Sequence, residues 1–190
     1  MIQSIDNVLP AKVINFKSGP PDYVQVQPLI KVLGTDGASV SRAQISSVPV
    51  CQIGGGGYVI RFNIMPGDHG LLIACDRDIS LYMQSGQESQ PNTYRKKDFS
   101  DSFFLPIVMR DYLINSEDMG NAVLQNIGGS IRISLFSDKV KITGNSEFAD
   151  DVLIAGNLTV SGKIKVLGDI NCGGNITAAG TITPGIPLPP

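Results

Sequence analysis

Few residues in this chain could do chemistry. His69 is the only histidine, and it follows Asp68. A histidine beside a carboxylate, joined by a serine from elsewhere, is the raw material of a nucleophilic triad. Here the pair sits in Gly67-Asp68-His69-Gly70, which reads as a turn between two strands. Asp76-Arg77-Asp78 offers two carboxylates to a cation, but alternating signs at a strand end read as a solvated or interface salt-bridge cluster. Gly54-Gly55-Gly56-Gly57 has the composition of a phosphate cradle. It lacks the Lys-Ser/Thr that completes a P-loop and no helical pattern follows, so it reads as a hairpin loop. Cys51, Cys75 and Cys172 lie far apart without CxxC spacing and read as small buried hydrophobes. No catalytic residue, metal ligand or cofactor is assigned, and the expectation is a protein that is not an enzyme.

Composition narrows the class. The chain has 190 residues, 42% of them hydrophobic and 17% charged, with 21 glycines and 12 prolines. That balance fits a folded chain rich in β-structure and turns. A net charge of -2 lacks the basic excess of a nucleic-acid surface. No apolar run approaches the roughly 20 residues of a spanning helix. The start, Met1-Ile2-Gln3-Ser4-Ile5-Asp6, lacks the basic-then-apolar layout of a secretory signal, so synthesis in the cytoplasm is expected.

The elements that must position these residues begin with a run of short strands. Ala11 to Phe16, Tyr23 to Val32, Val40 to Ile53 (interrupted at Pro49), Tyr58 to Ile64 and Leu71 to Cys75 alternate or run apolar between turn signals. Pro28 marks an edge or a bulge in the second of them. Ile79 to Met83 reads as a short helix and Gln84 to Arg95 as a loop. Short strands without a long helix predict a small closed barrel of the oligonucleotide/oligosaccharide-binding type, the OB-fold. Phe99, Phe103, Phe104, Leu105 and Pro106 form the densest aromatic cluster, placed to seal the barrel or dock a neighbouring subunit. The barrel domain is assigned to residues 1–113 and a connector, in which Ile131, Ile133 and Leu135 alternate as a strand, to 114–137.

From residue 138 the chain changes character. Glycine recurs every six residues at Gly156, Gly162, Gly168, Gly174 and Gly180. Two residues after each sits a large aliphatic: Leu158, Ile164, Ile170, Ile176, Ile182. Four residues after each sits a smaller one: Val160, Val166, Cys172, Ala178, Pro184. Val140, Ile142, Phe148, Val152 and Ile154 fall on the same two columns, with Ser146 the polar exception. Alternation makes a strand with one wet face, and a regular glycine reads as a corner whose backbone angles only glycine takes freely. Five such units are too few to bury a core as a single-chain solenoid. Three copies resolve this, each supplying one wall of a prism with the aliphatics on a shared axis. The fold expected is therefore all-β: an OB-fold-like barrel followed by an intertwined homotrimeric β-helix over 138–183. Eight units would make a rod of roughly 38 Å. Pro184, Ile186, Pro187, Leu188, Pro189 and Pro190 then form an uncharged tip, 184–190, where proline ends the strand ladder. The second column shrinks toward that end, so the prism should taper. An acyltransferase built on six-residue repeats needs a histidine near its prism, and 138–190 holds none.

Two segments carry a resemblance. Met65-Pro66-Gly67-Asp68-His69-Gly70-Leu71-Leu72-Ile73-Ala74-Cys75-Asp76-Arg77-Asp78-Ile79 and Phe99-Ser100-Asp101-Ser102-Phe103-Phe104-Leu105-Pro106, in that order before the repeat, resemble the membrane-piercing central spikes of contractile-tailed bacteriophages. The resemblance implies a virion protein of the tail baseplate: a homotrimer with its collar on the hub and tail-tube proteins. Its needle would be driven through the host outer membrane when the sheath contracts. Some members bind iron through a histidine pair near the tip. This chain has no histidine beyond His69, so the metal is not carried over, and its tip is closed by proline packing or by a separate tip protein. Nothing here is long enough to be the lysozyme insert of other members. A receptor- or carbohydrate-binding tail protein with a non-enzymatic stalk is the alternative. Against it, Phe148 is the only aromatic after Phe136, and no tryptophan is present.

Overall fold

The structure is a computed structural model that describes residues 7–180. It divides into two units, one through Gly144 and one from Asn145. The first is built from β1 (Val8–Lys17), β2 (Tyr23–Pro28), β3 (Val32–Leu33), β4 (Ser39–Val40), β5 (Ile45–Pro49), β6 (Ile53–Gly55), β7 (Tyr58–Ile60), β8 (His69–Ala74), α1 (Ser80–Ser85), β9 (Ser102–Pro106), β10 (Ala122–Gln125), β11 (Arg132–Leu135) and β12 (Val140–Thr143). The architecture is all-β, with one short α-helix among the described residues.

Five strands make the main sheet, in the order β5-β2-β1-β8-β9, each pair antiparallel. Its two edges meet beyond β5. Val50 bridges Phe104 in parallel, and the Cys51 amide donates to the Phe104 carbonyl at 2.8 Å. The sheet therefore curls into a barrel-like unit. Period-two alternation puts Ala11 and Val13, Val24 and Val26, Val48, Leu72 and Phe104 on the inside, where they pack with Val50 and Ile64. Burying these branched side chains is the main favourable term in holding the sheet closed.

The strand boundaries have local causes. Tyr23 to Val32 is not one strand: β2 ends at Pro28, whose nitrogen cannot donate, and the chain bends through Leu29 and Ile30 before β3. The run from Tyr58 keeps strand form only to Ile60, while Ile64 reaches the core from a loop. The four glycines make the β6–β7 hairpin. Gly56 and Gly57 both have positive φ, 60° and 86°, as the tight turn of a two-residue hairpin loop requires. β5 carries a bulge opposite β2, with Ser47 at φ 59°.

A second, three-stranded antiparallel sheet follows in the order β10-β11-β12. A 3-10 turn at Ser116–Asp118 precedes it. Residues 145–180 form no helix or strand, and their path is marked by bends. The bends fall at 149–150, 155–156, 161–162, 167–168, 173–174 and 179–180, which is the six-residue period of the sequence written into the chain path.

Candidate functional site

The surface singled out by the repeat is wholly uncovered within one chain. Every described residue from 145 to 180 is exposed. Leu158, Ile164, Ile170 and Ile176 are 65–70% exposed, and Val160 and Val166 of the second column 43% and 46%. Isolated aliphatics on a surface are ordinary, but here they recur at each six-residue step from Leu158 to Ile176, so the exposed apolar residues form a series. Ile182 and the tip residues Pro184, Ile186, Pro187, Leu188, Pro189 and Pro190 lie outside the described residues.

The glycines Gly156, Gly162, Gly168, Gly174 and Gly180 sit at five of these bends. None of them takes the left-handed backbone, so the corners are made without the angles that favour glycine. A Cβ added at any of the five meets nothing within 4 Å in this chain. Neither backbone angle nor intrachain crowding accounts for glycine at these corners.

The chemistry-bearing residues are not assembled into a site. His69 opens β8, exposed, with the Asp68 carboxylate turned back to accept from the Met65 amide at 2.8 Å. Cys51 and Cys75 are half-buried free thiols, pushed up by burial. Cys172 is exposed, its Sγ 3.3 Å from the Gly174 carbonyl. Among the described residues no group of three His, Cys, Asp or Glu could hold a metal ion. No described helix is long and apolar enough to cross a membrane.

Sequence reading missed the ion clusters that pin loops to the sheets. Asp22, buried, accepts from the Arg61 guanidinium at 2.9 and 3.0 Å and from the Gly19 amide. Arg61 and then Gly19 hold its carboxyl below the usual range. Arg95 spans Asp78 and Asp101, at 3.4 and 3.1 Å, tying the 86–98 loop to the barrel-like unit. The Ser80 side chain and amide, then the Thr93 hydroxyl, pull Asp78 down from 3.8 to about 2. Of the Asp76-Arg77-Asp78 cluster only Asp78 is buried; Asp76 and Arg77 pair at the surface. In the second sheet Arg132 meets Asp118 at 2.6 Å and also Glu117, which in turn pairs with Lys141 at 2.7 Å. Each cluster joins residues distant in sequence, so no local pattern announces it.

The family described as Phage protein Gp138 N-terminal domain matches residues 9–107. The chain belongs to this family. Comparison with curated proteins finds no match. The Gp138 N-terminal domain match takes in the five-stranded sheet almost end to end, from the second residue of β1 to just past β9. The three-stranded sheet and the repeat follow it. The protein is thus a phage protein whose matched domain is the barrel-like unit, and the uncovered columns belong to the part that follows.

Proposed function

We propose that this phage protein is the central spike of a contractile tail. In this reading it is a structural, non-enzymatic homotrimer in the virion baseplate that punctures the host outer membrane when the tail contracts. Residues 1–113 form an OB-fold collar on the hub and tail-tube proteins, 114–137 a connector, 138–183 a trimeric β-helix and 184–190 its tip, bare or capped by a separate protein. Supporting the collar, the strand order β5-β2-β1-β8-β9 with a parallel bridge from Val50 to Phe104 is that of a five-stranded Greek-key barrel.

The observation that carries the needle is the repeat itself. Bends every six residues separate segments whose aliphatics, Leu158 through Ile176, find no cover in their own chain. Three copies around one axis bury both columns and give each strand two neighbours. A rod with interchain hydrogen bonds in every layer resists buckling and unzipping, so it transmits force; its working stability is a slow unfolding rate.

Light scattering on the purified chain tests this. The expected mass is three chains, and Ile170→Asp, which places three like charges at the axis, should leave single chains. A wild-type monomer, or an Ile170→Asp variant that stays fully trimeric, overturns the proposal.

A further inference from the structure

The three-stranded sheet is turned inside out. On β11, the buried residues are Arg132 and Ser134, while Ile133 and Leu135 face outward. The register extends this across all three strands. Leu124, Ile133 and Ile142 lie in one row, and Ala122, Leu135 and Val140 in the next, all exposed. Ile131 sits beside them against Gly144. The opposite rows, Val123-Ser134-Lys141 and Gln125-Arg132-Thr143, are the covered ones. Segment 113–121 closes over them: the Leu113 carbonyl accepts from Gln125, Asn115 donates to Gly129, and Glu117 and Asp118 meet Arg132.

A chain that buries an arginine and an aspartate and leaves six aliphatics in water has its hydrophobic effect reversed. The arrangement is favourable only if the bare face is covered by something else. We propose that it is covered by the same face of two further copies of this chain, making the outward face of β10–β12 a self-association surface that adds β10 and β11, upstream of the repeat, to the contact. The inference rests on the trimeric reading of the repeat and extends the contact upstream of it.

Three features choose this occupant. The bare face carries no charged side chain; Arg132 and Lys141 lie on the other side with Glu117 and Asp118. Identical faces can meet around an axis only if they do not repel, and an uncharged apolar face satisfies that. Next, β12 is an edge strand, with an open row of backbone groups able to pair with another chain. Finally, its two outward residues open the two columns of the repeat: Val140 leads by six-residue steps to Ser146, Val152 and Leu158, and Ile142 to Phe148, Ile154 and Val160. Leu124, Ile131, Ile133, Leu135, Val140 and Ile142, at 40–63% exposure, supply only part of the roughly 800 Å² per partner that a standard stable interface buries. The trimeric repeat supplies the rest.

The test uses the full chain. Ile133→Asp lies on the central strand, outside the repeat, and should dissociate the trimer by at least about 100-fold in concentration, read by light scattering. Ser137→Asp, in the exposed β11–β12 turn, should leave the mass unchanged. If the wild type is trimeric and Ile133→Asp associates equally well, this surface is refuted while the trimeric needle stands. If the wild type is monomeric, both readings fall. Monomers that bind phosphatidylglycerol vesicles through this face in place of one another would assign it to lipid and overturn the proposal. A milder variant covers the case in which Ile133→Asp does not fold. In the trimer, Ile133→Cys should react with a bulky maleimide at least about ten times more slowly than Ser137→Cys, resolved peptide by peptide. Equal rates would reject the contact.

Discussion

Gly70 shows how far a single residue can be constrained by a partner remote in sequence. It pairs with Ala11 on one side and Pro106 on the other, and the Phe104 ring lies across it. A Cβ there would overlap that ring and the Leu105 carbonyl. Phe104 is fully buried and cannot retreat without opening the core. Gly70→Ala should therefore cost about 1–3 kcal/mol in urea unfolding, against no comparable loss for Ser137→Ala in a surface turn. A second residue-scale prediction concerns acid. Hydrogen bonds from Ser80 and Thr93 pull the Asp78 carboxyl down to about 2 when folded, against 3.8 unperturbed. The unfolded chain thus takes up the proton first as pH falls, so the stabilisation is complete above the unperturbed value and is lost as pH drops through the folded one. Asp78→Asn should be less stable than wild type near neutrality, and the difference should narrow below about pH 4 and vanish toward about pH 2. A gap that persists in acid would show that shape, and not ionisation, holds the 86–98 loop.

At the scale of elements, alternation found β1, β2 and β11 but overran at Tyr58 to Ile64, where strand form stops at Ile60, and it did not tell inside from outside. Ile131, Ile133 and Leu135 alternate, and a strand is found at Arg132–Leu135. Period two says that these residues share a face; it does not say that the face is covered. The cover on the other face comes from segment 113–121 through Asp118 and Glu117, contacts that depend on tertiary placement and leave no periodic trace. The hairpin at Gly56-Gly57 and the stop at Pro28 were legible because each is set by the backbone chemistry of one or two residues. The clusters around Asp22, Asp78 and Asp118 were not, because their arginines lie in other elements. The inverted sheet yields a prediction of its own. Removing one member of the buried Arg132–Asp118 pair strands the other, so Arg132→Met should cost about 3–5 kcal/mol. Adding Asp118→Leu to it should recover most of that loss. If the double variant is no better than the single one, the pair has a role beyond mutual neutralisation.

At the scale of the molecule, the two units must owe their order to different things. The barrel-like unit has a core of its own, from Ala11 to Phe104, and a sheet whose edges are joined. Residues 145–180 have neither: no strand pairing, no buried side chain, only a regular path. In a chain held by a neighbour, protection of backbone amides is a property of the assembly. Amide exchange should therefore separate the units. In the wild type, amides of the segments between bends, including those of Leu158, Ile164 and Ile170, should be protected together. In Ile170→Asp they should exchange as freely as an unstructured chain, while amides of β1, β2 and β8 keep their protection. Protection of the repeat that survives in a monomeric variant would mean that one chain orders it unaided. The apolar columns would then need another explanation than a shared axis.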